Sequence, residues 1–291
     1  MLLVSGPSSE KIDGEIADQL GVEVSTVEHR AFPDGENYIR LTTEVRGHDV
    51  VLIHSTAPPQ DTRLIQLMLT LDAIREGGAS SVAVVAPYLA YARQDRSRLP
   101  GEAVSVSTVI RLLRCLGVSK LVTVNVHNPT VFDGSGLELV DLSAIPLLAS
   151  HLRDEGLGGS FSLSLGKKPV DQERAREAAE VLGGDHGRLE TFRDPETGEV
   201  SLGRAGFDVD GRRVAVFDDV ITSGGTHLKV VELLREAGAA AVHLAVVHSL
   251  LPEERLRNVL DAVDSFTCTD TIPNRFSRVG VAPLISEAIR V

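Results

Sequence analysis

The chain has 291 residues, 43% of them hydrophobic, and a formal net charge of −12. That length is where one core usually divides into two, and the acidic balance argues against general nucleic-acid binding, which needs basic surfaces. With no charged-then-apolar leader after Met1 and no apolar run of about eighteen residues, the expectation is a cytoplasmic protein without a membrane span.

Phe32-Pro-Asp34-Gly35-Glu36 is a tight-turn signal ahead of a strand over Tyr38–Thr42, and on its own it reads as a hairpin tip. Val50–His54 then reads as a strand, Leu64–Arg75 as a helix, Gly77-Gly78-Ala79 as its stop and Ser81–Ala86 as a second strand. The segment Pro87-Tyr-Leu-Ala-Tyr91-Ala-Arg93-Gln94-Asp95-Arg96 follows the C-terminal end of that strand, where doubly wound sheets place their ligands. Arg93 and Arg96 can present two guanidiniums to a polyphosphate, and Asp95 can orient one of them or reach a metal's water. Val124-Asn125-Val126-His127 is a strand that ends in a projecting histidine.

The second half repeats the first. Val214–Phe217 is a short apolar strand, a helix covers Leu228–Arg235, and Ala241–Val247 is the next strand. Arg75-Glu76-Gly77-Gly78-Ala79 aligns with Arg235-Glu236-Ala237-Gly238-Ala239, so one βαβ unit is written twice. The fold class is therefore α/β, with two similar domains, each a mainly parallel sheet flanked by helices. A helix opening at Ser143-Ala-Ile-Pro146 puts the division at residues 1–143 and 144–291. Between them no linker occurs; around Asp194–Gly211 the chain turns polar, and Arg193–Gly198 reads as a hairpin-like turn.

The loops differ. Where the first half has Thr56–Asp61, the second has Asp218-Asp219-Val-Ile-Thr222-Ser223-Gly224-Gly225-Thr226 leading into a helix. Free N–H groups and the helix dipole at that N-terminus attract a phosphate. Gly224 and Gly225 allow close backbone approach, and Thr222, Ser223 and Thr226 add hydroxyl donors. The two aspartates would repel a phosphate; they suit the hydroxyls of a diol, or a metal ion. A loop that takes both a diol and a phosphate takes a ribose 5-phosphate.

This run resembles the phosphoribosyl-binding signature shared by type I phosphoribosyltransferases and ribose-phosphate pyrophosphokinases. Phe32–Glu36, Pro87–Arg96, Val124–His127 and the tail segments Thr269–Pro273 and Val281–Ile289 are similar to the pyrophosphokinases, best to their short archaeal-type members. The resemblance implies two phosphoribosyltransferase-type domains. Their reaction is transfer of the diphosphoryl group of MgATP to the C1 hydroxyl of ribose 5-phosphate, with AMP released. It implies that Asp218 and Asp219 hold the ribose hydroxyls, that Thr222, Ser223, Gly224, Gly225 and Thr226 cradle the 5-phosphate, and that Phe32 stacks on adenine. Asp34, Gly35 and Glu36 then face the base and ribose, Arg93 and Gln94 hold the nucleotide, and Asp95 and Arg96 lie just behind. His127 serves the magnesium–phosphate side, and the protein is a homo-oligomer, a dimer or larger.

Two departures lie at the centre of the chemistry. The family has a metal-binding Asp after the first strand of its second domain; counting back from Arg174-Ala175, Lys168 stands there. The family also has Lys-x-Arg on a mobile arm, and this chain has Thr191-Phe192-Arg193, with no lysine between Pro169 and Lys229. At an effective dielectric of about 20, a unit charge about 4 Å away is worth about 4 kcal/mol, so neither change is small. Either Lys167 or Lys168 supplies the missing cation and Asp171 takes the metal, with Arg193 retained, or the chain is a catalytically weak regulatory paralogue. A phosphoribosyltransferase is the third reading, and Phe32–Glu36 and Arg93–Arg96 are elements for which it has no need.

Overall fold

A computed structural model describes residues 1–8, 11–193, 200–203 and 206–290 and divides into two compact units, Met1–Leu142 with Val281–Val291, and Ser143–Gly280. The first opens with β1 (Leu2–Ser5), α1 (Ile12–Leu20), β2 (Val24–Ala31), β3 (Asn37–Leu41) and β4 (Asp49–Ile53). It continues with α2 (Gln60–Glu76), β5 (Ser81–Ala86), α3 (Ser105–Cys115), β6 (Val118–Val124), a short 3-10 turn (Pro129–Phe132) and β7 (Glu138–Leu142). The seven strands lie in the order β3-β2-β1-β4-β5-β6-β7. Only the β2–β3 pairing is antiparallel.

The second unit runs through α4 (Ile145–Leu152), β8 (Phe161–Leu165), α5 (Pro169–Leu182), β9 (His186–Leu189), β10 (Thr191–Arg193) and β11 (Val200–Leu202). After these come β12 (Arg213–Ile221), α6 (Gly225–Glu236), β13 (Ala241–Ser249), α7 (Glu253–Ala262), β14 (Ser265–Thr269) and β15 (Ser277–Val279). Its sheet is parallel throughout, in the order β15-β14-β13-β12-β8-β9, and β10 and β11 form a separate antiparallel pair. Central strands such as Val214–Phe217 are apolar on consecutive residues because helices cover both faces. No described helix is long and apolar enough to cross a membrane. Both cysteines are free thiols, Cys115 exposed and Cys268 buried.

The repeat seen in the sequence is a repeat of geometry. Gly78 and Gly238 both adopt positive φ, 82° and 84°, and each donates its N–H to the arginine three residues back. The Gly78 carbonyl accepts from Gly47 at 2.8 Å and that of Gly238 from Gly211 at 2.9 Å, so the same turn closes the same corner twice. Those left-handed positions admit glycine without strain.

One boundary differs from the expected division. The last helix, α8 (Ala282–Ile289), packs against α1, with Ile285 and Ile289 buried and Arg290 donating to the Gln19 carbonyl at 3.3 Å. The tail therefore belongs to the first unit and not to the second. Burial of its apolar stripe, not chain order, decides membership.

At the end of β4, His54 is wholly buried. Its Nε2 lies 2.8 Å from the Arg63 carbonyl, which can only accept, so Nε2 carries the hydrogen. Nδ1 has no hydrogen-bond partner among the described residues and faces Gly6, where a Cβ would stand 2.4 Å from it. Burial lowers the imidazole from its usual 6.5 to about 4. The folded state thus binds fewer protons than the unfolded one, and stability is full above pH 6.5 and lost as the pH falls. The loss due to this residue should reach about 3 kcal/mol by pH 4. Urea unfolding of wild type and His54→Gln from pH 7.5 to 4 should show the steeper acid loss in wild type. Parallel curves would exclude His54 as the cause.

Candidate active site

β12 carries both aspartates inside its ladder: Asp218 is in register with Val246 of β13, and the strand continues to Ile221. Successive side chains of a strand point to opposite faces. Asp218 accordingly meets α6, its Oδ2 2.9 Å from His227 Nε2, while its Oδ1 accepts the Asp219 N–H at 2.9 Å. Asp219 meets α5, its Oδ2 3.6 Å from Nη2 of Arg174. Burial, helped by the charge of Asp219, raises the Asp218 carboxyl above its ordinary range, and the His227 hydrogen bond opposes that rise.

The loop that follows ends at Gly224, which caps α6 in the left-handed region (φ 76°) with no side-chain cap and no acidic residue in the first turn. A Cβ at Gly224 would stand 2.8 Å from Val259 Cγ2, so both space and conformation call for glycine. The first intrahelical bond beyond it is Leu228 N–H to the Gly224 carbonyl, 2.9 Å. The earlier N–H groups of a helix face outward from its N-terminus and suit an anion. Ser223 and Gly225 are exposed there, and Thr222 and Thr226 half-buried.

The loop from β8 to α5 carries the departures. Lys167 places its ammonium 5.2 Å from the centroid of the Phe192 ring on β10, which is 41% exposed. Lys168 instead takes the N-cap position of α5, its backbone N–H bonded to Asp171 Oδ2 at 2.8 Å. Arg188 donates to both lysine carbonyls, at 3.2 and 3.3 Å, and fixes the loop from β9. Asp171 is buried, and its other oxygen lies 3.1 Å from Nη1 of Arg174. These are the contacts of a capping residue, and they favour a structural role over the metal-ligand role expected for Asp171. Arg193 closes β10 opposite Val200; its side chain, and the turn expected over 194–198, lie outside the described residues.

In the first unit the hairpin tip is as the Pro-Asp-Gly signal predicts. Phe32 N–H bonds to the Glu36 carbonyl at 2.7 Å, Gly35 has φ 94°, and Asp34 Oδ1 accepts the Glu36 N–H at 3.1 Å. Phe32 is exposed, edge-on to Tyr38 with ring centroids 6.1 Å apart, and the Arg30 guanidinium lies 5.3 Å from its centroid. Arg93, Gln94 and Arg96 are exposed. Gln94 Oε1 accepts from Ser105 Oγ at 2.6 Å. Asp95 is different: its side chain is buried, accepts from Asn128 Nδ2 at 2.7 Å and lies 3.8 Å from Arg96 Nε. It ties the turn after β5 to the one after β6, where half-buried His127 follows Val126. Asn125 has φ 43°, a conformation that asparagine tolerates better than most residues.

The family model for the N-terminal domain of ribose phosphate pyrophosphokinase matches residues 1–117, and the phosphoribosyl transferase domain model matches residues 167–283. The curated ribose-phosphate pyrophosphokinase of Methanopyrus kandleri is 36% identical over 290 residues, covering 99% of this chain and 98% of its own. That of Methanothermobacter thermautotrophicus is 34% identical over 291 residues, covering 99% and 100%. The chain belongs to the ribose-phosphate pyrophosphokinase family. A crystal structure of phosphoribosylpyrophosphate synthetase from Mycobacterium smegmatis, 24% identical, superposes over 99% of this chain and 97% of its own with a TM-score of 0.87, which speaks for the fold.

Within this pyrophosphokinase, sequence reasoning stopped at Thr226 and passed over His227, Arg174 and Arg188. The available signal was position: His227 is the next residue after the loop, and Arg174 lies three beyond Asp171 on α5. Phe32→Ala should weaken ATP binding by about 1–3 kcal/mol, as the loss of a base–aromatic stack does. Titration calorimetry should find ribose 5-phosphate affinity unmoved. An unchanged ATP affinity would leave the ring a merely packed residue of the hairpin.

Proposed function

We propose that this protein is a working ribose-phosphate pyrophosphokinase that makes phosphoribosyl pyrophosphate in the cytoplasm, as a homo-oligomer. The observation that favours turnover over substrate binding alone is the ammonium of Lys167 over Phe192, on the strand that ends in Arg193. A cation thus reaches the arm from the neighbouring loop, although the arm's own position holds Thr191.

Asp218 and Asp219 accept from the ribose hydroxyls, and residues 222–226 take the 5-phosphate at the α6 N-terminus. Phe32 stacks on adenine, Asp34, Gly35 and Glu36 face the base and ribose, and Arg93 and Gln94 hold the nucleotide, with Asp95 and Arg96 behind. The C1 hydroxyl oxygen attacks the β-phosphorus, the bond from that phosphorus to the α–β bridging oxygen breaks, AMP leaves, and the hydroxyl proton is released. Such transfers depend on positioning and charge stabilisation rather than covalent chemistry, and Lys167 and Arg193 are the cations assigned to that stabilisation. The described residues hold no group of three or more His, Cys, Asp or Glu that could enclose a metal. Magnesium keeps several waters and binds through one or two protein groups plus substrate phosphates. We assign the magnesium–phosphate side to His127; when bound, the ion would neutralise charge on the triphosphate.

Purified protein given MgATP and ribose 5-phosphate should form AMP and phosphoribosyl pyrophosphate in equal amounts. Binding of both substrates by calorimetry without AMP formation would make it the silent paralogue instead.

A further inference from the structure

The hydrogen bond from His227 to Asp218 spans nine residues and brackets the whole phosphate loop, joining the end of β12 to the first turn of α6. His227 is 5% exposed, and the two side chains are 6% and 14% exposed. An ionised carboxylate only accepts, so Asp218 fixes the imidazole with its hydrogen on Nε2. With Oδ1 on the Asp219 N–H, Asp218 is held at both oxygens and has one orientation.

We propose that His227 is a positioning residue for ribose 5-phosphate: it presets the Asp218 carboxylate and closes residues 219–226 into the shape that takes the 5-phosphate. The inference rests on the diol role proposed for Asp218. Neither group is useful alone: Asp218 without its donor has a half-buried oxygen to satisfy, and the loop without its tie must be ordered by the ligand. Each cost falls on binding of the sugar phosphate. None falls on the nucleotide elements, Phe32–Glu36 and Arg93–Arg96, which belong to the other unit.

The test is calorimetry of the full-length protein with ribose 5-phosphate and, separately, ATP, for wild type, His227→Leu, His227→Gln and Asp218→Asn. His227→Leu should lose about ten- to hundredfold in ribose 5-phosphate affinity, the effect of one hydrogen bond to a charged group, with ATP affinity unchanged. His227→Gln keeps an N–H donor at similar reach and should stay within about threefold of wild type, less than the loss of such a bond. If His227→Leu does not fold, His227→Asn, whose amide is too short to reach Asp218, takes its place. A merely structural histidine would give equal losses for Leu and Gln, or for both ligands, and either result overturns the proposal. Wild-type affinity in His227→Leu together with loss in Asp218→Asn also overturns it and leaves the diol reading standing. Wild-type affinity in Asp218→Asn removes the diol reading and the proposal with it.

Discussion

Lys167→Ala should lower the rate of AMP formation by about 100- to 1000-fold, the usual effect of deleting one preorganised donor from a site that stabilises transferred charge. Two observations single out this lysine. Its ammonium lies 5.2 Å from the centroid of the Phe192 ring on the arm, whereas the contact shown for Lys168 is a backbone one, at the α5 cap. A cation–π contact at an exposed ring is worth only about 0.5–1 kcal/mol, so Phe192 aims the lysine without immobilising it. Phe192→Leu should therefore cost only about three- to fivefold in rate. Thr191→Lys should help little in wild type, where the charge is already present, and should recover much of the rate in Lys167→Ala. Single-turnover measurement of AMP at saturating substrates would check all four variants against wild type. An unaltered rate in Lys167→Ala would end the compensation argument.

Asp218→Asn with Asp219→Asn should abolish ribose 5-phosphate binding and leave ATP binding intact. Two charged acceptors are lost, each worth about 1.5–3 kcal/mol, which places affinity beyond calorimetric detection for a weakly bound sugar phosphate. The fold should survive. Arg174 keeps its 3.1 Å contact with Asp171 when the longer 3.6 Å approach to Asp219 is neutralised, so no buried guanidinium is left without a carboxylate. A retained thermal transition alongside lost binding would confirm a ligand role; unchanged affinity would remove the site assignment.

Much of this protein is written locally. The βαβ unit was legible twice because parallel strands covered on both faces need continuous apolar runs, and because Gly78 and Gly238 mark the same left-handed helix stop. The Pro-Asp-Gly tip at 33–35 and the Gly-Gly loop at 224–225 were legible for the same reason: a backbone conformation few residues tolerate leaves a short, readable signature. Even so, the strand and helix around the loop are longer than the periodicity indicated. Cross-strand pairing with β13 carries β12 through both aspartates to Ile221, and α6 begins at Gly225 rather than at its first apolar residue, Leu228.

What the sequence could not decide is which polar groups meet. Asp218 and Asp219 are neighbours in the chain, yet the pleat sends them to opposite faces, one to His227 and the other to Arg174. Lys167 and Lys168 are likewise adjacent and make different contacts, one with a ring on β10 and the other at the start of α5. The tail joins the unit that precedes it by well over a hundred residues, because α1 offers the apolar face that α8 must cover. Backbone preference is a property of a few consecutive residues and shows in the sequence. Side-chain pairing depends on distance and direction across the fold, so the tertiary structure alone determines whether a lysine supplies a missing charge.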